Sequence, residues 1–176
     1  MGYFLKSKNL GLRTLEDSDI DGNYIQWFND PIVCQYNSHH KYMETREKLK
    51  EYISEVNNNP NTIVFAIVDL KSSTHIGNIS LQEIDYVNRS AELSFIIGEV
   101  DFWSKGYATE AGKLVIQHAF EELNLHRIYL GTADNNLGMQ KVASKLGFIR
   151  EGVRKDALYN QGQYHDIIEY GKIRCY

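Results

Sequence analysis

The chain has 176 residues, of which 43% are hydrophobic and only two are proline, so we expect one domain, residues 1–176, with a sizeable core. Its formal net charge of −4 disfavours nucleic acid as the main partner and mildly favours a cationic one. No apolar run approaches the ~18 residues that a membrane span needs, and the first residues lack the apolar core of a signal peptide. We therefore expect a cytoplasmic protein with no membrane partner.

The two cysteines, Cys34 and Cys175, match no metal-binding or redox spacing. We expect both to be free thiols in a reducing compartment. His165-Asp166 resembles part of a metal site, but nothing in the sequence supplies the other ligands, and we predict no metal.

The first third of the chain predicts a short strand, residues 10–14, followed by two helices. Asp17-Ser18 is a typical N-terminal cap for a helix reaching residue 28, where Asn29-Asp30-Pro31 stops it. A second helix begins at Thr45 and ends at the run 57–61, which is rich in Asn. Its apolar positions follow helical spacing: Leu49, Tyr52, Ile53 and Val56.

The middle of the chain predicts three strands, residues 62–69, 75–84 and 91–98. The first is apolar and β-branched, which is typical of a central strand. Short turns, residues 71–73 and 85–89, separate the three, so the first two are expected to form a hairpin.

A helix over residues 108–123 follows, with one wide apolar stripe. The stripe consists of Ala108, Ala111, Gly112, Val115, Ile116, Ala119, Phe120 and Leu123. With the preceding strand and the next one, residues 127–133, this helix makes a parallel crossover unit.

A short helix, residues 137–146, ends at Gly147, and two last strands cover residues 148–155 and 164–173 with a loop at Asn160-Gln161-Gly162. The predicted fold class is therefore α+β: a single domain with a mixed, mostly antiparallel central sheet flanked by helices.

Residues 102–111 lie between the third strand and the long helix, and they carry Gly106 and Ala108 two apart, beside Lys105. Glycine allows a ligand to approach the backbone closely. The first amides of a helix have no intrahelical partner, and with the helix dipole they favour an anion. This junction predicts a diphosphate site; the alternative is an ordinary tight turn into a helix.

Several motifs stand in a fixed order along the chain: Trp27-Phe28-Asn29-Asp30-Pro31, Arg89-Ser90-Ala91-Glu92, Lys105-Gly106-Tyr107-Ala108-Thr109-Glu110-Ala111, Leu125-His126-Arg127, and Asn136 followed by Lys145-Leu146-Gly147-Phe148. Their order and spacing resemble the GNAT superfamily of N-acetyltransferases, over nearly the whole chain. Within it, the chain is most similar to the branch of ribosomal-protein N-terminal and spermidine N-acetyltransferases.

The resemblance implies acetyl-CoA as the acetyl donor, no metal, and a primary amine as the acceptor. No cysteine stands near the Lys105–Ala111 loop or the Arg89–Glu92 strand motif to serve as a covalent carrier, which favours direct attack by the amine in a ternary complex. The donor carries a pyrophosphate, so the candidate residues at the junction are Trp103, Ser104, Lys105, Gly106, Tyr107, Ala108 and Thr109. Trp103 replaces the usual Gln or Arg and either packs on the pantetheine or fills the core.

An alkyl amine with a pKa near ~10 must lose a proton before it attacks, and Glu92 is the candidate base. On a strand, Glu92 shares a face with Ser94 and Ile96, while the opposite face is apolar. Its distance of fourteen residues from Gly106 matches the spacing in histone-type members. It could also act through a water, merely attract the cation, or pair with Arg89 or Arg127.

Backbone groups of Phe95, Ile96 and Ile97 are candidates for stabilising the thioester oxygen and bonding the pantetheine. The resemblance also implies that Asn136 bonds the pantetheine amide, although Asn is a good helix cap in its own right.

The chain departs from the family at the general acid. Ala143 stands where many members carry a Tyr, and Met139 where others use a Ser. Tyr36, Tyr159 or Tyr164 could replace it, or no acid is needed, because a thiolate of pKa ~8.5 is a tolerable leaving group.

Three acceptor classes stay open: a protein N-terminus, a polyamine, and an amino sugar or similar metabolite. His39-His40 is expected to be a solvated loop that could line the acceptor pocket. The alternative to an enzyme is a non-catalytic acyl-CoA-binding domain with the same fold. A homo-oligomer is compatible with the sequence.

Overall fold

The computed structural model describes residues 2–175. The strands are β1 (Leu5–Lys6), β2 (Leu10–Thr14), β3 (Ile63–Asp69), β4 (Thr74–Asp85), β5 (Ser90–Ile97), β6 (Arg127–Ala133), β7 (Ile149–Asn160) and β8 (Gln163–Ile173). The α-helices are α1 (Tyr24–Asn29), α2 (Arg46–Asn58), α3 (Tyr107–Glu121) and α4 (Leu137–Lys145). None of the helices in this part of the chain is long and apolar enough to cross a membrane.

The strands form one sheet in the order β1-β2-β3-β4-β5-β6-β8-β7. Every neighbouring pair is antiparallel except β5 and β6, which are parallel and joined by α3 as a crossover. The predicted α+β fold with a mixed, mostly antiparallel sheet is confirmed.

Hydrophobic cores cover both faces of the sheet, and β3 contributes to each. Phe65 and Ile67 belong to the core that includes residues of α3 and α4, whereas Val64, Ala66 and Val68 belong to the core that includes residues of α1 and α2. An apolar strand that is buried on both faces is what the sequence predicts for the centre of a sheet.

The sheet opens between β5 and β6. These strands pair over only three positions, from Ser90–Arg127 to Glu92–Tyr129. Beyond Glu92, β5 continues to pair with β4 as far as Ile97, while β6 continues with β8 as far as Ala133. The backbone groups of β5 that face β6 after Glu92 are therefore left for something other than a neighbouring strand.

The predicted helix over residues 17–28 is wrong. A 3-10 turn, Asp17–Asp21, is followed by an extended Gly22 and then by the short α1. The turn closes because the Asp19 carboxylate accepts from the Glu16 amide at 2.9 Å and from Arg13 Nη1 at 2.8 Å. The Asp19 side chain is therefore bonded to Arg13 of β2, and the helix does not begin at this point.

The two last strands are longer than predicted. β7 runs on to Asn160 and β8 begins at Gln163, so the predicted loop shrinks to the tight turn Gln161-Gly162. The prediction ended at Lys155 because β7 is a charged edge strand with two bulges, which lacks the apolar alternation of an inner strand.

The other element boundaries agree within a few residues. Gly147 follows α4 with a φ of +77°, as predicted for a helix C-terminus. Cys34 is buried and Cys175 exposed, and neither forms a disulfide.

Candidate active site

A cavity of about 1030 Å³ lies where β5 and β6 separate. Nearly all the residues singled out in the sequence line it: Glu92, Phe95, Ile96, Ile97, Trp103, Ser104, Gly106, Tyr107, Ala108, Thr109 and Asn136. Lys105 is the exception. It is exposed outside the lining, with its ammonium 5.3 Å from the centre of the Phe102 ring.

The start of α3 leaves its first amides open on the cavity side. Gly106 is the N-terminal cap residue, with a φ of +92° and no side-chain cap. The first bond inside the helix runs from the Glu110 amide to the Gly106 carbonyl at 3.0 Å, so the amides of residues 107–109 precede the ladder. No protein atom lies within 4 Å of a Cβ built on Gly106, so glycine suits this position through its φ and through the room it leaves a ligand.

Three side-chain contacts fix this turn to the sheet. Trp103 Nε1 donates to the Ile97 carbonyl at 2.7 Å, and the Tyr107 hydroxyl donates to Asp69 Oδ1 at 2.5 Å. The bond to Asp69, with some burial, raises the pKa of Tyr107 to about 12. The Glu110 carboxylate accepts from Ser7 and Asn9 beside β2. The turn that precedes α3 is therefore held in one position relative to the sheet.

Glu92 is the last residue of β5 before the sheet opens, opposite Gln82 of β4 and Tyr129 of β6. Burial, together with the negative charges of Glu83 and Glu169, raises its pKa. Within residues 2–175 its carboxylate forms no hydrogen bond or ion pair. Arg127, one of the ion-pair partners that the sequence left open, instead pairs with Glu151. Such a carboxylate is available to accept a proton from an amine.

Asn136 caps α4, with its Oδ1 accepting from the Met139 amide at 3.0 Å. Because Oδ1 serves the helix, the Nδ2 group is the part that remains for a ligand in the cavity, which Asn136 also lines. The capping role is therefore observed, and a bond to pantetheine stays a prediction.

The two positions at which relatives carry a general acid, Ala143 and Met139, lie in different surroundings. Ala143 is fully buried in the core beneath α3 and does not line the cavity, whereas Met139 does. Of the tyrosines considered, Tyr36 lines the cavity. Tyr159 and Tyr164 lie at the tip of the β7–β8 hairpin, outside the lining, with ring centres 5.0 Å apart.

Sequence reasoning missed the polar floor of the cavity, which we define as Asn78, Ser80 and Gln82 of β4. These residues pair with Ile96, Ser94 and Glu92 of β5 and line the same cavity. The signal was present, because polar residues alternate with apolar ones at these positions of the predicted strand.

The wall facing that floor comes from α1, α2 and the segment between them. Its members include Phe28, Tyr36, His39, Glu44, Lys48 and Tyr52. His39 is exposed in a short turn and borders the cavity, whereas His40 is half-buried with its Nδ1 atom buried, so only part of the predicted loop is solvated. The ring of His39 packs edge-on against Phe28, with the ring centres 5.1 Å apart.

Within the described chain, no group of three or more His, Cys, Asp or Glu residues is placed to hold a metal ion. His165 instead approaches Asp134, with Nδ1 3.4 Å from its Oδ1.

The amides at the start of α3, the open edge of β5 and the Glu92 carboxylate all belong to residues that line the cavity.

Comparison with known proteins agrees with this geometry. The profile of the acetyltransferase (GNAT) domain family matches residues 9–149. Spermidine N(1)-acetyltransferase of Vibrio cholerae is 30% identical over 171 residues, covering 92% of this chain and 91% of that protein. The putative ribosomal N-acetyltransferase YdaF of Bacillus subtilis is 39% identical over 98 residues, 56% of this chain, and the match spans only 53% of that relative.

Among solved structures, spermidine N-acetyltransferase from Vibrio cholerae in complex with CoA and spermine has a TM-score of 0.85 and 28% identity. The match covers 94% of this chain and 95% of that one. The likeness therefore extends over nearly the whole chain.

Proposed function

The chain belongs to the GNAT family of acetyltransferases and is an N-acetyltransferase that uses acetyl-CoA; from this premise we propose that Glu92 and the start of α3 carry the reaction. The observation that supports the proposal most directly is that a half-buried carboxylate without a partner lines the same cavity as the uncapped amides of α3.

In this proposal the donor's diphosphate is held by the amides of residues 106–109 and the positive end of the helix dipole. Acetyl-CoA supplies an activated acetyl group. The open backbone edge of residues 93–97 aligns the pantetheine and offers an N–H group to the thioester oxygen. Trp103 holds that edge and the donor loop together through its bond to Ile97.

Glu92 takes the proton from the acceptor ammonium, directly or through a water, and the neutral amine then attacks. Burial raises the pKa of Glu92, which makes it a better base than an exposed Glu. The proton that the departing thiolate needs comes from solvent or from Tyr36, the one tyrosine of the three considered that lines the cavity.

The proposal is tested by the pH–rate profile of Glu92→Gln with a simple primary amine. Between the pKa of Glu92 and that of the amine, the wild type should be faster by about 100-fold, a usual contribution of a positioned base. The difference in rate between the wild type and Glu92→Gln should shrink as the pH approaches the pKa of the amine, because more of the amine is then already neutral. A variant profile that superimposes on the wild type would remove Glu92 from the mechanism.

A second candidate, an acyl-CoA-binding domain without turnover, is favoured by Ala143 and Met139 at the two acid positions. Thiol release from acetyl-CoA decides between the two, monitored across N-terminal peptides, polyamines and amino sugars. Tight acetyl-CoA binding without thiol release from any of these amines would support the binding domain.

A further inference from the structure

One wall of the cavity is built from an irregular loop. Residues 30–43, which we call the α1–α2 loop, connect the two helices through turns that include the 3-10 turn His39–Lys41. The residues of this loop that line the cavity are Val33, Gln35, Tyr36, Asn37 and His39. Because a loop lacks the repeating bonds of a helix or sheet, its side chains keep one place only where other parts of the chain hold its backbone.

The base of the α1–α2 loop is closed by Asn29. Its Nδ2 group donates to the Glu44 carbonyl at 3.0 Å, and its Oδ1 accepts from the Glu44 amide at 2.8 Å. The two ends of the loop therefore lie side by side, as in an Ω-loop, a class of loop that is frequently functional. These bonds fix the base and leave the far end, residues 33–39, to be held by other contacts.

The far end of the loop is held by Asn160, at the tip of the β7–β8 hairpin. Asn160 is 2% exposed, and its Nδ2 group lies 2.8 Å from the Gln35 carbonyl, 3.3 Å from that of Asn37 and 3.5 Å from that of Cys34. An amide nitrogen has two hydrogens, so the two shorter contacts are the bonds it makes best. Its Oδ1 accepts from the Gln161 amide at 2.9 Å, which fixes the orientation of the side chain.

This contact joins two walls of the cavity that are remote in sequence. The α1–α2 loop lies with α1 and α2 on one face of the sheet, whereas Ile167 of β8 lines the cavity from beyond β6. Lys41 adds a second contact between the same two elements, because its ammonium donates to the Tyr159 carbonyl. Asn160 itself lies outside the lining, so it acts on a bound molecule only through the loop.

We propose that Asn160 is a positioning residue for the acceptor amine, because its side chain holds the α1–α2 loop in the place where Tyr36 and Asn37 face the cavity. The inference rests on the proposed function and deepens it on the side of the acceptor. The donor turn is fixed separately, by the bonds of Trp103 and Tyr107 to the sheet. Loss of the Asn160 bonds should therefore affect long amines that reach the loop and spare a short amine that reaches only Glu92.

The test is thiol release from acetyl-CoA with ethylamine and with two long amines, spermidine and trialanine. Asn160→Asp keeps the shape of the side chain and the acceptor for the Gln161 amide, but it turns a carboxylate toward the loop carbonyls. For the long amine that the wild type uses better, KM should rise by about 10-fold with kcat within about 3-fold. The kcat/KM for ethylamine and the Kd of acetyl-CoA should both stay within about 3-fold.

Gln163→Glu is the matched control. Gln163 pairs with Asn160 across the same turn and is exposed, so this substitution adds the same charge to the tip at a solvent-facing position. It should leave the KM of the long amine unchanged. Asn160→Ala removes the donor without adding charge, and it repeats the comparison where a melting curve shows Asn160→Asp to be unfolded.

Hydrogen exchange gives a readout that does not depend on activity. Because the loop is released from the hairpin, the amides of residues 33–43 should exchange at least about 3-fold faster in the Asn160 variants than in Gln163→Glu. The amides of α3 should exchange at the same rate in all of them. Unchanged exchange in the loop would mean that Asn160 does not hold it, which overturns the inference.

The kinetic outcomes separate this inference from the proposed function. An equal loss of kcat/KM for ethylamine and for the long amine would indicate general damage to the site and contradict a positioning role. An unchanged KM for the long amine in the Asn160 variants would contradict it as well, with the transferase intact. A wild type that uses ethylamine better than both long amines would show that the loop does not receive the acceptor. Thiol release with none of the three amines would overturn the proposed function itself.

Discussion

The indole N–H of Trp103 donates a hydrogen bond to the carbonyl oxygen of Ile97 at 2.7 Å. Ile97 is the last residue of β5, and Trp103 begins the turn that leads to α3. This bond therefore joins the open strand edge to the turn that carries the helix amides, and we assign these two surfaces to one donor molecule.

We expect Trp103→Phe to weaken acetyl-CoA binding more than it weakens the fold. The substitution keeps an aromatic ring against the core, and it removes the N–H donor together with part of the indole surface. A hydrogen bond of this kind contributes about 0.5–1.5 kcal/mol, so the Kd should rise by roughly 2- to 12-fold. Calorimetric titration with acetyl-CoA measures it, and a melting curve checks folding. An unchanged Kd would mean that the bond does not shape the donor site.

Two substitutions at Gly106 distinguish the effect of negative charge from the effect of side-chain bulk on acetyl-CoA binding. Its φ of +92° lies in the left-handed region, which Asn and Asp tolerate better than other side chains. Gly106→Asn should weaken acetyl-CoA binding by placing a side chain over the amides. Gly106→Asp has the same shape and adds a negative charge, so its Kd should be higher by a further ~10-fold. Equal affinities of the two variants would argue against an anion at this turn.

Local patterns in the sequence were enough to predict the part of the cavity that is formed by β5 and the start of α3. The two faces of β5 follow from the two-residue repeat of a strand, and the stripe of α3 from helical spacing, because both depend only on backbone periodicity. The order of the motifs then placed Glu92 and Gly106 at the two ends of one unit. These residues do line one cavity.

The opposite wall of the cavity, formed by α1, α2 and the segment between them, depends on contacts that no local sequence pattern shows. Asn160 was predicted to be part of a loop, yet it is buried, and its Nδ2 donates to the carbonyls of Gln35 at 2.8 Å and Asn37 at 3.3 Å. The tip of the last hairpin thus shapes the segment that carries Tyr36 and His39. Sequence separations of more than 120 residues cannot be read from periodicity.

We expect Tyr107→Phe to destabilise the protein through the loss of its bond to Asp69. That bond has a charged acceptor and lies partly buried at 2.5 Å, so about 1.5–3 kcal/mol of unfolding free energy should be lost. The matched control is Tyr86→Phe, whose exposed hydroxyl donates to the neutral Pro60 carbonyl at 2.7 Å and should cost under about 1 kcal/mol. Urea unfolding of both variants measures the difference, and equal losses would contradict it.

Glu92 should reduce stability at neutral pH while it serves the reaction. Burial raises its pKa in the folded state, so the stability that Glu92 contributes is present below the unfolded value of about 4.3 and is lost as the pH rises through the folded pKa. Glu92→Gln should therefore melt at a higher temperature than the wild type at pH 7, and the gap should close below about pH 4.

Glu151→Gln provides a control of opposite sign for Glu92→Gln. The hydrogen bond from Arg127 lowers the pKa of Glu151, so removing this charge should lower the melting temperature at pH 7. A shift of the melting temperature in the same direction for both variants would contradict the prediction that the Glu92 charge destabilises the fold at pH 7 while the Glu151 charge stabilises it.

The buried ion pair of Asp19 should dominate the acid sensitivity of the fold. Burial alone would raise the pKa of Asp19, but the hydrogen bond from Arg13 and the adjacent His75 outweigh it and hold the pKa well below its usual value. Its stabilisation is therefore complete above the unfolded pKa of about 3.9 and is lost as the pH falls toward the folded value. Asp19→Asn should lose about 1.5–3 kcal/mol at pH 7, because the half-buried Arg13 loses the charged acceptor of its hydrogen bonds.

The exposed pair of Asp21 with Arg46, 2.6 Å apart, gives the matched comparison, and Asp21→Asn should cost less than about 1 kcal/mol. Urea unfolding at pH 7, 5 and 3 checks both magnitude and sign. The gap between the wild type and Asp19→Asn should narrow between pH 5 and pH 3, since protonation removes from the wild type what the substitution removes from the variant. A gap that stays constant with pH would mean that the Asp19 charge does not hold β2, the 3-10 turn and His75 together.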